Sequence, residues 1–199
     1  MASMVTLRTS QALATRQRLV DVATELFTSQ GFSAVTTTVL SEEAGVTRGA
    51  LYHHFANMTE VMEAVFEQAE SSLVEAVIRA LESVDDPRQR FLALGGVTLD
   101  VVARDPVLLR IVFMEAPAAL GWARWRALDG GRSLALIRGL LDDLANSNEL
   151  VAGVEPGVAA QLILGAINEA GMHAAASTKG PASAAGQLEL MCRGLLVRR

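Results

Sequence analysis

The chain has 199 residues with 17 basic and 22 acidic side chains, a net charge of −5, and is 51% hydrophobic with a mean hydropathy of +0.32. That length suffices for one large domain or two small ones, and the apolar content exceeds what one small core uses, which points to an oligomer interface or an apolar pocket. No stretch reaches the ~18 uninterrupted apolar residues of a membrane helix: the most apolar tract, 158–176, is broken by Gln161, Asn168, Glu169 and His173.

The first dozen residues read as disordered. A helix over about 15–30 follows, with Leu19, Val22, Ala23, Leu26 and Phe27 on one face, and Gly31 ends it. Residues 36–55, TTTVLSEEAGVTRGALYHHF, read as two short helices, 37–44 and 47–55, joined at Gly45-Val46. Gly45 can take the positive φ of a sharp helix exit, and the Thr47 hydroxyl is placed to cap the next helix. Val39, Leu40, Ala44, Val46 and Leu51 can point inward, leaving Thr38, Arg48, Gly49, Tyr52 and His53 outward. A short helix with small and hydrogen-bonding groups on its outer face suits the major groove of DNA.

Asn57 with Glu60 three residues on starts a fourth helix in the manner of a capping box, running to about 82. Its apolar face is Val61, Val65, Phe66, Leu73 and Val77; its outer face is acidic, with Glu63, Glu67 and Glu70. Asp86-Pro87, Asp105-Pro106 and Glu155-Pro156 start helices five, six and eight, since proline suits the first helical turn. Pro117 ends or kinks helix six. Helix seven covers 121–146 with a kink at Gly130-Gly131. After a loop at 177–181, Pro181 can start a ninth helix that reaches the C-terminus. No strand is expected. The expected fold is all-α, about nine helices, with a helix-turn-helix head over 1–56 and a helical body over 57–199.

The helix, Gly31-Phe32, the threonine cluster, EEAGVTRGALYHHF and the Asn-started helix together resemble the TetR family of bacterial repressors, over about 16–66. The resemblance implies a dimeric, ligand-responsive repressor on a near-palindromic double-stranded operator. It matches Arg48, Gly49, Ala50, Tyr52 and His53 to positions that meet DNA, and His54 and Thr37 to positions that hold phosphate. Thr38 and Thr47 complete the candidate DNA-binding set. Arg48 can form paired hydrogen bonds to guanine. The chain departs from the family at Met58, where a phosphate-holding lysine is usual. Residues 1–55 hold four bases (Arg8, Arg16, Arg18, Arg48) and four acids (Asp21, Glu25, Glu42, Glu43). The acidity therefore lies in the body, and a neutral head must draw on helix N-termini, hydroxyls and doubled contacts.

In the body, Phe113, Met114, Trp122 and Trp125 concentrate soft and aromatic side chains where the resemblance places an inducer pocket, ordinary core being an equal reading. Asn168, Met172 and His173 are the candidates from the next apolar helix, and Glu169 can pair with His173 one turn on. A small, mostly apolar effector is implied. The last two helices are rich in small residues, and the resemblance makes them a four-helix bundle with a second copy. Leu162, Ile163, Ala166, Ala170, Leu188, Met191 and Leu195 are the candidate interface.

No catalytic residue, metal site or cofactor is expected. The histidines and the lone cysteine show no ligand pairing at i+3 or i+4, and no nucleophile elbow, phosphate loop or dinucleotide fingerprint occurs. Cys192 can form no internal disulfide and no signal peptide is recognisable, which points to a reducing, cytoplasmic setting. Two other classes remain: an effector-independent DNA-binding protein, and a helical enzyme on the same fold.

Overall fold

The computed structural model describes residues 2–176 and 182–198, so the expected loop at 177–181 and the helix-starting role of Pro181 lie outside the described residues. Helix α1 (Ala2–Gln30) includes the stretch expected to be disordered. No glycine or proline interrupts it, and nothing before Gly31 breaks the backbone ladder. Gly31 stops it at φ +84, and a 3-10 turn, Phe32–Ala34, follows.

Helices α2 (Thr37–Glu43) and α3 (Arg48–His54) form the expected pair. The Thr36 hydroxyl accepts the Val39 N–H and the Thr47 hydroxyl accepts the Ala50 N–H, each bond satisfying an orphan donor of a first turn. Gly45 turns the chain between them at φ +64. Leu40, Ala44 and Leu51 are buried against Leu19, Val20, Ala23 and Phe27 of α1, which fuses the three helices into one small core.

Helix α4 (Met58–Leu81) starts as its sequence dictates: Asn57 Oδ1 accepts the Glu60 N–H at 2.9 Å and the Glu60 carboxylate accepts the Ala56 N–H at 2.8 Å. Its apolar face is buried as expected, but its acidic face is not simply solvated. Glu70 is buried, and Glu63 is half-buried under a two-bond pair with Arg124 at 2.6 and 2.7 Å.

Asp86 and Asp105 cap α5 (Pro87–Arg104) and α6 (Pro106–Arg110). Helix α6 continues through a π turn, Ile111–Glu115, into α7 (Ala116–Leu120). Pro117 therefore neither ends the helix nor leaves a bare kink. It has no N–H for a carbonyl one turn back, and the widened turn just before it, closed by Ala116 N–H to Ile111 O, accommodates the missing bond. Gly121, at φ +74, ends α7. The Gly130-Gly131 kink is a full break between α8 (Trp122–Asp129) and α9 (Arg132–Asn146).

Helices α10 (Pro156–Ala176) and α11 (Ala182–Arg193) close the body. Helix α11 stops short of the C-terminus. After Gly194 the chain runs beside 149–151, with Val151 N–H on Leu195 O and Val197 N–H on Glu149 O, both 2.9 Å. Arg88 ties this corner, binding Glu149 and the Val197 carbonyl at 2.7 Å each. The roughly nine helices expected are thus present, two of them divided. Among the described residues no helix is long and apolar enough to cross a membrane.

Asp105 accepts the N–H groups of both Val107 and Leu108, at 3.0 and 3.2 Å, and so anchors the start of the α6 to α7 run. Asp105→Ala should lower unfolding stability by about 1 kcal/mol, as for other N-cap losses. Urea unfolding checks this; an unchanged midpoint would show that the cap does not hold this run.

Candidate functional site

Two short helices and one cap aim the head's polar groups outward. Thr38, Thr47, Arg48, Gly49, Tyr52 and His53 are exposed, while Thr37, Ala50 and His54 are half-buried at the edge of the same face. Thr47 spends its acceptor on the α3 cap. The neighbouring Thr37 hydroxyl, then the Arg48 guanidinium, hold the pKa of the Tyr52 phenol below the usual tyrosine value.

The pKa of His54 is lowered as well. Burial, then the positive neighbours His53 and Arg16, lower its pKa, which favours the neutral ring near pH 7. A neutral His54 offers phosphate a hydrogen bond rather than a charge. Arg16 lies over the Phe55 ring, 4.9 Å from its centroid, and is the cation that α1 brings to the end of α3. Its place was not legible in sequence, because the contact spans 39 residues. Met58, at the α4 terminus, presents no cation; the first amides of α4 supply only partial positive charge there.

A small cavity of about 30 Å³ lies in the body among α4, α5, the π turn, α8, α9 and α10. That is room for about one water. Its wall is apolar, with Leu73, Val77, Leu94, Phe113, Ile137 and Leu164 among its residues, except for Glu70, Thr98, Asp129, Ser133 and Asn168. Glu70 and Asp129 are 4% and 2% exposed. Glu70 Oε1 accepts both the Ser133 N–H and its hydroxyl, at 2.9 and 3.0 Å. Asp129 Oδ2 accepts Asn168 Nδ2 at 2.6 Å and Arg126 Nη1 at 2.9 Å. Burial raises the pKa of both carboxyls, and for Glu70 the nearby Asp129 charge adds to the rise.

The cavity corrects the aromatic part of the sequence reading. Phe113 and Asn168 line it. Trp125 is wholly buried beside it, its indole N–H donating to the Val112 carbonyl at 3.1 Å, so it is core. Trp122 is 62% exposed on the outside, and Met114 points to solvent from the far side of the π turn. Met172 and His173 do not line the cavity, and His173 is exposed with Glu169 on the outer side of α10. Arg124 and Arg126 are engaged by Glu63 and Asp129.

Glu70 was readable: it sits four residues after Phe66 and three before Leu73, on the apolar stripe of α4. Glu115 carried no such signal. Its carboxylate accepts the Phe32 N–H at 2.8 Å and is held by Arg110 at 3.0 Å.

The small-residue face also divides. Leu162 and Met191 are 69% and 61% exposed, with Leu195 and Ala166 half-buried beside them. Ile163, Ala170 and Leu188 are instead buried within the protomer. Leu188 packs on Gly95, where a Cβ would lie 2.9 Å from its own, so α5 and α11 approach closely. Cys192 is buried with them, its thiol pKa pushed up to about 11 by burial, which leaves it unreactive. Among the described residues no group of three or more potential ligands could hold a metal.

Comparison with known proteins agrees with this architecture. Residues 19–65 match the family described as bacterial regulatory proteins, tetR family, and residues 91–196 match the tetracyclin repressor-like C-terminal domain. A TetR-family transcriptional regulator from Pectobacterium atrosepticum is 30% identical, with 95% of this chain and 97% of that one covered and a TM-score of 0.81. The transcriptional activator FasR of Mycolicibacterium smegmatis is 32% identical over 98 residues, 49% of this chain and 45% of the relative, so the chain spans about half the length of that curated relative. FadR of Thermus thermophilus, a transcriptional repressor solved with lauroyl-CoA, shares the fold at 24% identity, covering 92% and 96% of the two chains with a TM-score of 0.71. The body match alone takes in more than half of the chain, and the chain belongs to the TetR family of bacterial regulatory proteins.

Proposed function

We propose that the chain is a transcriptional repressor that binds double-stranded operator DNA as a dimer and is released by a small molecule entering the body cavity. The observation that carries this reading is the seam between the units: Phe32 of the head bonds to Glu115 of the π turn, and Phe113 of the same turn lines the cavity. The head takes in residues 1–56 and the body the remainder. Relatives include both an activator and repressors. Repression follows where the operator overlaps a promoter, and the cytoplasm is where that DNA lies.

In the DNA-bound dimer, two α3 helices enter successive major grooves about 34–36 Å apart. Arg48 reads a base, Thr38, Gly49 and His53 shape the contact, and Thr37, Tyr52 and His54 hold the backbone. The exposed Leu162 and Met191 on α10 and α11 give a second copy an apolar surface. Any molecule larger than a water has to displace wall residues, and a shift of Phe113 moves the turn that holds the head. Selection between two states needs a few kcal/mol of differential affinity. The small resting volume favours a second reading, a fixed regulator without effector; an operator complex that no small molecule dissociates would support it.

Arg48→Ala should cost about 1–3 kcal/mol on the operator and relax preference at one position per half-site. Binding curves on operator and random DNA check this, and equal weakening on both would remove the base-reading role. Leu162→Glu places a charge on the proposed interface while leaving the protomer core untouched. Sedimentation should show monomer, with operator affinity lost along with dimerisation; a variant that stays dimeric puts the interface elsewhere.

A further inference from the structure

We propose that the body cavity selects an apolar molecule carrying one protonated amine, seated between the Glu70 and Asp129 carboxylates. The inference rests on the reading of this cavity as the effector site and adds the chemical class of the effector.

The polar wall is short of donors. Glu70 takes both Ser133 donors on Oε1, and among the described residues no donor reaches its Oε2. Asp129 takes Asn168 and Arg126 on Oδ2, and among the described residues no donor reaches its Oδ1. Thr98 gives its hydroxyl proton to the Leu94 carbonyl at 2.8 Å, which leaves only acceptor capacity. Apart from the second amide N–H of Asn168, the unused polar valences identified in the wall are thus acceptors.

Charge points the same way. Arg126 balances Asp129, and among the described residues Glu70 has no partner of opposite charge in contact. Arg132 acts on Glu70 only at a distance, from an exposed position on α9. With both acids ionised, two carboxylates and one guanidinium leave one negative charge in a wall that is apolar apart from the neutral Thr98, Ser133 and Asn168. A protonated amine supplies both the missing charge and the missing donors. A neutral apolar filler leaves a buried carboxylate uncompensated, and an anion adds repulsion to desolvation. An alcohol supplies one donor without the charge.

The rest of the wall sets the remainder of the ligand. Residues from α4, α5, the π turn, α9 and α10 surround the acids on several sides, so the body of the molecule is apolar. Because the resting cavity holds about one water, that apolar part seats itself by moving side chains, Phe113 among them.

The test uses a matched series of octylamine, octanol and octanoate, titrated calorimetrically into the full-length protein at pH 7, with operator release followed in parallel. Octylamine should bind at least tenfold more tightly than octanol, and octanoate more weakly than either. Glu70→Gln and Asp129→Asn should each remove at least tenfold of the amine's affinity and leave octanol unchanged. The charge preference of the unmodified protein is read without any variant, so a folding defect in one of them does not hide the answer. Octanol or octanoate equalling octylamine overturns the ligand class while the cavity stands as the effector site. An amine preference that survives both substitutions places the cation elsewhere and also overturns it. If none of the three binds and none releases the operator, the effector reading falls together with the class.

Discussion

The backbone N–H of Phe32 has lost its own helix, and the Glu115 carboxylate receives it at 2.8 Å. Gly31 leaves α1 at φ +84 and ends its ladder there, so the next amide needs an acceptor from outside. Glu115 supplies one only because Arg110, one π turn earlier, holds it at 3.0 Å. The strip from Arg110 to Glu115 also puts the Val112 carbonyl on the Trp125 indole and the Phe113 ring at the cavity wall. A Cβ on Gly171 would lie 2.6 Å from that ring, so α10 gives it no slack. One five-residue turn therefore fixes both the end of the head and one wall of the body. Packed interiors respond to such a constraint by switching arrangement rather than by stretching.

The same core carries a cost. A carboxyl whose pKa is raised on folding contributes nothing against the fold at low pH, where it is protonated in both states. As pH rises above the unfolded value it weakens the fold, because the unfolded chain ionises first, and the loss levels off once pH passes the folded value. Glu70 and Asp129 are both of this kind. Ser133 and Asn168 reduce the penalty without removing it.

Local chemistry was legible in the sequence and distant chemistry was not. Threonine caps, the Asn57–Glu60 capping box, Asp-Pro helix starts and Gly45 each act within four residues, and each stands where its residue type predicts. The outward set on α3 followed from periodicity alone. The N-terminal extension of α1 escaped notice because a polar run without glycine or proline reads equally as coil or helix. Trp122 and Trp125 share a helix face by spacing, yet one is exposed and the other buried. Ile163, Ala170 and Leu188 carry the same apolar signal as Leu162 and Met191, and only the position of α5 and α9 decides which face the protomer keeps. Glu115 and Arg16 act across 83 and 39 residues, where no local pattern reports them.

The central claim is that the π turn transmits the state of the cavity to the head through Glu115. A double-mutant cycle on operator affinity, with Phe113→Trp to overfill the cavity wall and Glu115→Ala to cut the bond to Phe32, tests it most directly. The account predicts that Phe113→Trp weakens operator binding about tenfold or more in the otherwise unmodified protein and has little effect once Glu115 is alanine. Simple additivity of the two substitutions would contradict it.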